Sequence, residues 1–421
     1  MTITKIPYID EEYQRKVNEK YNVRPFVHVK PTKENIPTVK VDSLDISQFK
    51  DGSENFESRK KLADQLEKSI RTYGFFYLTG HGIEKSLNEK LHAIAQSVME
   101  IPEEEKIQYY AGAKTTDEED RDKYMGGERG NGYKPKGYWG MQSGVRDAIC
   151  HYNLRDLLQP EELKKHKQPE IVTANLDSII TYYDYIHNEL LRKLTILCDI
   201  ILEIPEGTLW ENFFKIREGD IERSGFGWGR FMMYYGMSSE DEKKTKNTWL
   251  RGHSDSTAFT FIYSQPMTSL QLRDYYTGDW KYVDYMENAY VCNVGDALEF
   301  LTGAYFKSTI HRVVKPPQDQ QNHRRLGLIY FADPAPYTVI DPETLDSPKL
   351  KRLGYNKPKE WEKITFGQWD SDKDRFFGKA KLYSAPVEEP TPVLIYGRYN
   401  ERWHQSDKEH LKFSQNSLAI S

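Results

Sequence analysis

Cysteine is nearly absent: three residues in 421, Cys150, Cys198 and Cys292, odd in number and far apart. That spacing excludes a disulfide framework or a zinc knuckle and favours a reducing compartment. Long apolar runs are missing too. Nothing approaches the roughly 20 consecutive apolar residues that cross a bilayer. The opening "MTITKIPYIDEEYQRK" lacks an apolar stretch of signal-peptide length, so a cytoplasmic protein without membrane contact is expected. Nor is there an excess of one charge. The 59 basic residues oppose 64 acidic ones, and the formal net charge of −5 gives no general attraction to nucleic acid or anionic lipid. The chain shows no internal repeat, and nothing in it sets an oligomeric state.

What is present is an ordinary globular balance, 38% hydrophobic and 29% charged, with ample material for one large core. Residues 1–35 are polar and aperiodic and read as an N-terminal extension. From Ile36, "IPTVKVDSL" alternates like a half-buried strand. Leu62, Leu66 and Ile70 then recur at helical spacing within Glu57–Thr72, and "YGFFYLTGHGI" follows as a glycine-flanked aromatic strand. A second amphipathic helix, "IEKSLNEKLHAIAQSVMEIP", closes at Pro102. Residues 111–147 are rich in glycine and charge, which predicts a long loop. A long helix is expected over about Ile171–Glu203; His187 inside it has no second ligand candidate beside it and reads as a packing or surface histidine. Residues 36–224 are thus a mainly helical region.

Beyond Gly225 the pattern changes. "RFMMYY", "AFTFIY", "LQLRD", "WKYVDY", "AYVCNVGDALEFL", "HRVVKP" and "LGLIYFADP" are short β-type runs divided by turn signals, so residues 225–336 predict a sandwich or barrel. Residues 337–421 hold "WEKITFGQWDSDKDRFFGKAK", expected as a helix packing back on the core, and a tail without a readable pattern. The fold class is α+β, rich in β.

The segment "GHSDSTAF", residues 252–259, places His253 and Asp255 two apart at the mouth of an apolar run. On a strand both would project to one side, and burying them there is costly unless something pairs with them. A metal ion would. "KSTIHRVVKPP" supplies His311 on another strand-like run, and two histidines with one carboxylate make the facial triad of non-haem Fe(II), with three octahedral positions open. The plainer alternatives are a turn cap for Asp255 and a strand-end hydrogen bond for His253. In "RRLGLIYFADP", Arg325 heads a strand where it could pair with the far carboxylate of an iron-chelating keto acid, while strand alternation sends Arg324 to the opposite face.

Together these motifs, from "IPTVKVDSL" and "YGFFYLTGHGI" through "GHSDSTAFTFIYSQ", "LQLRD", "NVGDALEFLTGAYFKSTIHRVV", "RLGLIYF" and "ITFGQW", resemble the isopenicillin N synthase-like family of Fe(II)/2-oxoglutarate-dependent dioxygenases, over about Ile36 to Lys381. The resemblance implies a double-stranded β-helix (jelly-roll, cupin-like) core flanked by N-terminal helices and a C-terminal helix. It implies His253, Asp255 and His311 as iron ligands, Arg325 and Tyr235 as partners of the 2-oxoglutarate carboxylate, and O2 as co-reactant. The expected reaction is oxidation, above all hydroxylation, of a small-molecule substrate with release of succinate and CO2. The chain departs from the family in having Gly327 where a serine usually stands, Met233 for an asparagine, and a long "KPPQDQQNHR" connection. Gly327 keeps open an Fe(II) oxidase or cyclase of the same fold without 2-oxoglutarate. An inactive binding protein that retains the fold is the remaining alternative. Expected pocket walls include Tyr133, Tyr138, Trp139, Tyr234, Phe366 and Trp369; Lys134, Lys136 and Arg146 would meet an acidic substrate or form a solvated face.

Overall fold

A computed structural model describes residues 6–111, 130–274, 277–376 and 394–401. In chain order the strands are β1 (Thr38–Val39), β2 (Ser43–Asp45), β3 (Phe75–Thr79), β4 (Gly132–Lys134), β5 (Ile149–Leu154), β6 (Phe226–Tyr234), β7 (Thr248–His253), β8 (Phe259–Tyr263), β9 (Leu270–Arg273), β10 (Trp280–Val283), β11 (Tyr290–Val294), β12 (His311–Val314) and β13 (Arg325–Asp333). A short hairpin, β14 (Leu394–Ile395) with β15 (Arg398–Tyr399), comes after them. Eight strands form a major sheet in the order β2-β3-β11-β8-β13-β6-β5-β4, and five form a minor sheet in the order β1-β10-β9-β12-β7. The two make a jelly roll.

Side-chain alternation divides the packing. On β6 and β13, Trp228, Met232, Tyr234, Ile329 and Phe331 point between the sheets, where they meet Leu250, Leu270, Leu272 and Val313 of the minor sheet. Phe231, Met233, Leu326, Leu328 and Tyr330 point the other way, into a larger core shared with the helices. Those helices are amphipathic, as their sequence spacing requires. Phe56–Thr72 buries Leu62, Leu66 and Ile70, and Lys85–Glu100 buries Leu91, Ile94 and Val98. Both strand faces are buried, so the long central strands read as nearly continuous apolar runs.

Four expectations change. "IPTVKVDSL" is two strands: β1 pairs in parallel with β10 of the minor sheet, and after a few residues β2 pairs in parallel with β3 of the major one, so this segment ties the sheets together. "AYVCNVGDALEFL" is a strand only as far as Val294; Gly295 caps a helix over Asp296–Leu301. The predicted loop 111–147 contains β4, which pairs with β5; residues 112–129 lie outside the described ones. The long helix starts at Leu176, after a separate turn at Glu170–Thr173, and continues to Leu202. His187 within it is fully buried, with Nδ1 2.8 Å from the Tyr330 hydroxyl and Nε2 2.8 Å from the Phe214 carbonyl oxygen, as a packing residue should be. The C-terminal helix spans Phe366–Phe376, and the predicted tail from 402 onward lies outside the described residues.

Candidate metal centre and cavity

His253 is the last residue of β7, not the start of the following strand, and Asp255 lies in the loop before β8. His311 opens β12, directly across the antiparallel ladder from His253. The two imidazoles face each other with ring centroids 4.4 Å apart. Each Nε2 lies 3.8 Å from Asp255 Oδ1, and the three donor atoms fall within 4.8 Å of one another, close enough to share one cation.

The outward atoms of all three side chains are held by the protein. His253 Nδ1 is 2.9 Å from the Arg251 carbonyl oxygen and His311 Nδ1 is 3.1 Å from that of Thr309. Since a carbonyl only accepts, each Nδ1 carries a proton, and each Nε2 is the ring nitrogen turned inward. Asp255 Oδ2 accepts from the Thr260 hydroxyl (2.7 Å) and the Asn293 amide (2.8 Å), leaving Oδ1 for the centre. Burial and then the neighbouring His311 push the His253 pKa down, so its imidazole is neutral. Burial alone would raise the Asp255 pKa, but the two imidazoles and then the Asn293 and Thr260 hydrogen bonds outweigh it and the carboxyl lies below its ordinary range. A neutral His253 and an ionised Asp255 are the protonation states that binding a divalent metal requires of them.

The supporting contacts come from far along the chain. Behind His253, buried Arg251 makes a salt bridge to buried Glu401, with Nη1 2.7 and 2.8 Å from the two carboxylate oxygens. Lys373 of the C-terminal helix donates to the Ser254 carbonyl (2.9 Å) and binds Asp296, while Ser256 donates to Asp370 of the same helix (2.8 Å). The loop carrying Asp255 is thus clamped at both ends. Sequence reasoning missed all of these partners, because a pattern can show a histidine but not which distant carboxylate braces its neighbour.

A cavity of ≈ 130 Å³ opens between the sheets at the triad. Arg325 heads β13 and lines it, 6% exposed, with its guanidinium 4.9 Å from the centroid of the Tyr234 ring, its cross-strand partner. Arg325 Nε is buried without a hydrogen-bond partner, an arrangement suited to an incoming anion. Arg324 turns outward to Glu100 at 2.8 Å. The expected Tyr235 does not line the cavity: it packs with the outer-face core, its ring 3.7 Å from Lys136 Nζ. By alternation the inward tyrosine is Tyr234, and the inward residue two before it is Met232 rather than Met233. Gly327 shares the inward face with Arg325, and a Cβ there would meet Ile329 at 3.6 Å and the Met232 carbonyl at 3.8 Å, ordinary contacts, so the missing side chain leaves real space.

Of the other expected wall residues, Trp139, Tyr234 and Lys134 line the cavity. Tyr133 is buried elsewhere with its hydroxyl donating to the Val98 carbonyl, and Tyr138, Lys136 and Arg146 are not in the wall. Phe366 and Trp369 sit in the core, Trp369 edge-on to Phe300; the residues of that helix that reach the cavity are Asp370 and Lys373.

A jelly roll with a His-Asp-His cluster at the mouth of its inter-sheet cavity defines a class of metal-dependent oxygenase folds. Comparison with known proteins agrees. Residues 230–334 match the 2OG-Fe(II) oxygenase superfamily, and residues 41–170 match the N-terminal region described as "non-haem dioxygenase in morphine synthesis". The chain is 22% identical over 366 residues to 1-aminocyclopropane-1-carboxylate oxidase of Dictyostelium mucoroides, covering 81% of this chain and 94% of the relative. It is 25% identical over 342 residues to homoarginine-6-hydroxylase 2-ODD-233 of Oryza sativa subsp. japonica, covering 79% and 94%. Among solved structures, the rice dioxygenase for auxin oxidation superposes with a TM-score of 0.57 at 15% identity, over 82% of this chain and 99% of that one. The chain belongs to the 2OG-Fe(II) oxygenase superfamily. It is an Fe(II)/2-oxoglutarate-dependent oxidoreductase, with iron, 2-oxoglutarate and O2 as cofactor and co-reactants. Among the described residues no helix is long and apolar enough to cross a membrane.

Proposed function

We propose that the chain is a dioxygenase that hydroxylates a small organic molecule with release of succinate and CO2. In this reading His253, Asp255 and His311 hold the iron, and Arg325 with Tyr234 seats the distal carboxylate of 2-oxoglutarate. One observation carries it: two Nε2 atoms and one Oδ1 face a common point, while the remaining polar atom of each side chain is hydrogen-bonded to protein. Three protein donors on one side leave the opposite side for other ligands.

Bound Fe(II), with 2-oxoglutarate and dioxygen, supplies the oxidising chemistry. The residues of this chain supply the setting. The ladder between β7 and β12 fixes the spacing of the imidazoles, and Thr260 with Asn293 fixes which carboxylate oxygen turns inward. Arg325, buried beside Tyr234, offers a charge-assisted partner to a carboxylate, a contact contributing about 1.5–3 kcal/mol. Leu250, Leu270, Val313 and Ile329 make the walls between apolar, which excludes water from the reacting centre.

Anaerobic titration with Fe(II) and 2-oxoglutarate tests the reading. A weak visible chelate band should form in the parent and in Arg324→Ala, and should need much more 2-oxoglutarate in Arg325→Ala. Equal behaviour of both variants would overturn the assignment of Arg325. Succinate formation on turnover separates this reading from that of an oxidase that does not consume 2-oxoglutarate.

A further inference from the structure

The cavity continues past the triad to an end with a different character. Strands β5 and β4 extend the major sheet beyond β6, and with the turn after β4 they bring Lys134, Trp139 and Arg155 beside Trp228, Arg230 and Phe331. Trp228 and Phe331 are cross-strand partners, stacked with centroids 4.2 Å apart and planes at 24°. The Arg155 guanidinium lies 3.7 Å from the centroid of the Trp228 ring, and that of Arg230 lies 4.8 Å from Trp228 and 5.1 Å from Phe331. Arg230 Nε also donates to Asn153 Oδ1 at 2.9 Å.

Two guanidiniums laid on a rigid aromatic stack have their direction set in advance, and a guanidinium has enough N–H donors to serve a wall contact and a ligand together. Of the carboxylates in the cavity wall, Asp255 belongs to the triad and Asp370 accepts from Ser256. Asp333, behind the wall, accepts from Trp228 Nε1 at 3.1 Å; burial, then Asp370, push its pKa well up against the opposing pull of nearby Arg155 and of the Trp228 hydrogen bond. Among the described residues of the cavity wall, Lys134, Arg155 and Arg230 gather at this end, with Asp370 as an acidic neighbour. The surfaces leading back to the triad are apolar: Ile262, Ile329 and Phe331.

We propose that this end recognises the organic substrate as an anion, a carboxylate or phosphate ester held by Arg155 and Arg230, whose apolar body runs along Ile329 and Phe331 toward the triad. The assignment rests on the oxygenase reading above and adds the substrate class to it.

The test uses the full chain with Fe(II) and saturating 2-oxoglutarate under anaerobic conditions, so that the chelate band is recorded before any probe is added. Absence of that band counts against the oxygenase reading itself; its presence makes the probe titrations a test of substrate class alone. Four probes of one shape are titrated by tryptophan fluorescence and by perturbation of the band: 1-naphthoate, 1-naphthyl phosphate, 1-naphthamide and 1-naphthylmethylamine. One or both anions should bind at least tenfold more tightly than the amide, the amine least tightly, and the better anion names the head group. Arg155→Met and Arg230→Met should each erode that preference while leaving amide affinity unchanged, and Arg230→Lys should restore part of it. Equal binding of the amide, preference for the amine, binding of no probe, or an anion preference that survives in a double methionine variant with parental melting behaviour would each overturn the proposal.

Discussion

Replacing Gly327 with serine should tighten cosubstrate binding without reshaping the cavity. Gly327 lies two residues after Arg325 on the same inward face of β13, opposite Met232. A Cβ built there meets nothing closer than 3.6 Å, so a serine enters without moving its neighbours. If the 2-oxoglutarate carboxylate sits against Arg325, the new hydroxyl can donate to it. A hydrogen bond to a charged group contributes about 1.5–3 kcal/mol, so the dissociation constant should fall by about tenfold or more. Glycine in a strand also costs about 0.5–1 kcal/mol relative to alanine, so both Gly327→Ser and Gly327→Ala should melt later than the parent. Only the serine should change affinity. Anaerobic titration of the chelate band gives the constants, and calorimetric melting gives the stability. If serine and alanine bind 2-oxoglutarate alike, the carboxylate does not lie beside this position.

Three further outcomes are expected from the contacts around the site and in the core. Thr260→Val or Asn293→Ala removes one of the two bonds that orient Asp255, and Fe(II) or Co(II) affinity measured by anaerobic titration should drop by about 10- to 100-fold with little loss of fold; unchanged affinity would show that the carboxylate needs no support. Glu401→Gln breaks the buried pair with Arg251 and should cost about 3–5 kcal/mol in urea unfolding, accompanied by weaker metal retention; a small effect on both would mean that the pair is dispensable. Burial, reinforced by His28, pushes the His92 pKa down to about 3, and burial pushes that of His187 down to about 4. Both lie below the unfolded value of about 6.5, so their contribution to stability is complete above that pH and is lost as pH falls toward the folded values, at about 1.4 kcal/mol per unit per group. Buried Asp199, its pKa raised to about 8 by burial, works in the opposite sense, so the histidine contribution is read by difference: between pH 7 and 5 the urea midpoint of chelator-treated His92→Gln or His187→Gln should lose less than that of the parent, and equal slopes would contradict the burial of these two rings in neutral form.

The triad was legible because histidine and aspartate before an apolar run are conspicuous, and the strand-borne His311 comes at a distance a jelly roll can close. Alternation sent Arg325 and Arg324 to opposite faces, and the family resemblance pointed to Arg325 as the inward one. The tyrosine was not legible, for a physical reason: in "RFMMYY" both strand faces are buried, so polarity does not mark which of Tyr234 and Tyr235 turns inward, and only the pairing of Tyr234 with Arg325 decides it. The cationic end of the cavity was hidden for another reason. Arg155 and Lys134 come from a region read as helix and loop, and β4 and β5 acquire their meaning only as edge strands of a sheet whose centre lies far later in the chain. Glu401 sits in a segment without periodicity, where no local pattern points to Arg251.

His253 and His311 face each other across neighbouring strands, so their separation is a property of the backbone ladder rather than of two independent side chains. Sliding β12 by a single residue would turn its imidazole to the far side of the sheet and expose Val313, which now fills the space between the sheets. The same pairing that buries the valine delivers the nitrogen. Natural drift in the hydrophobic residues of these strands is thereby policed by chemistry, and a substitution that loosens their alignment would silence the enzyme before it unfolded it.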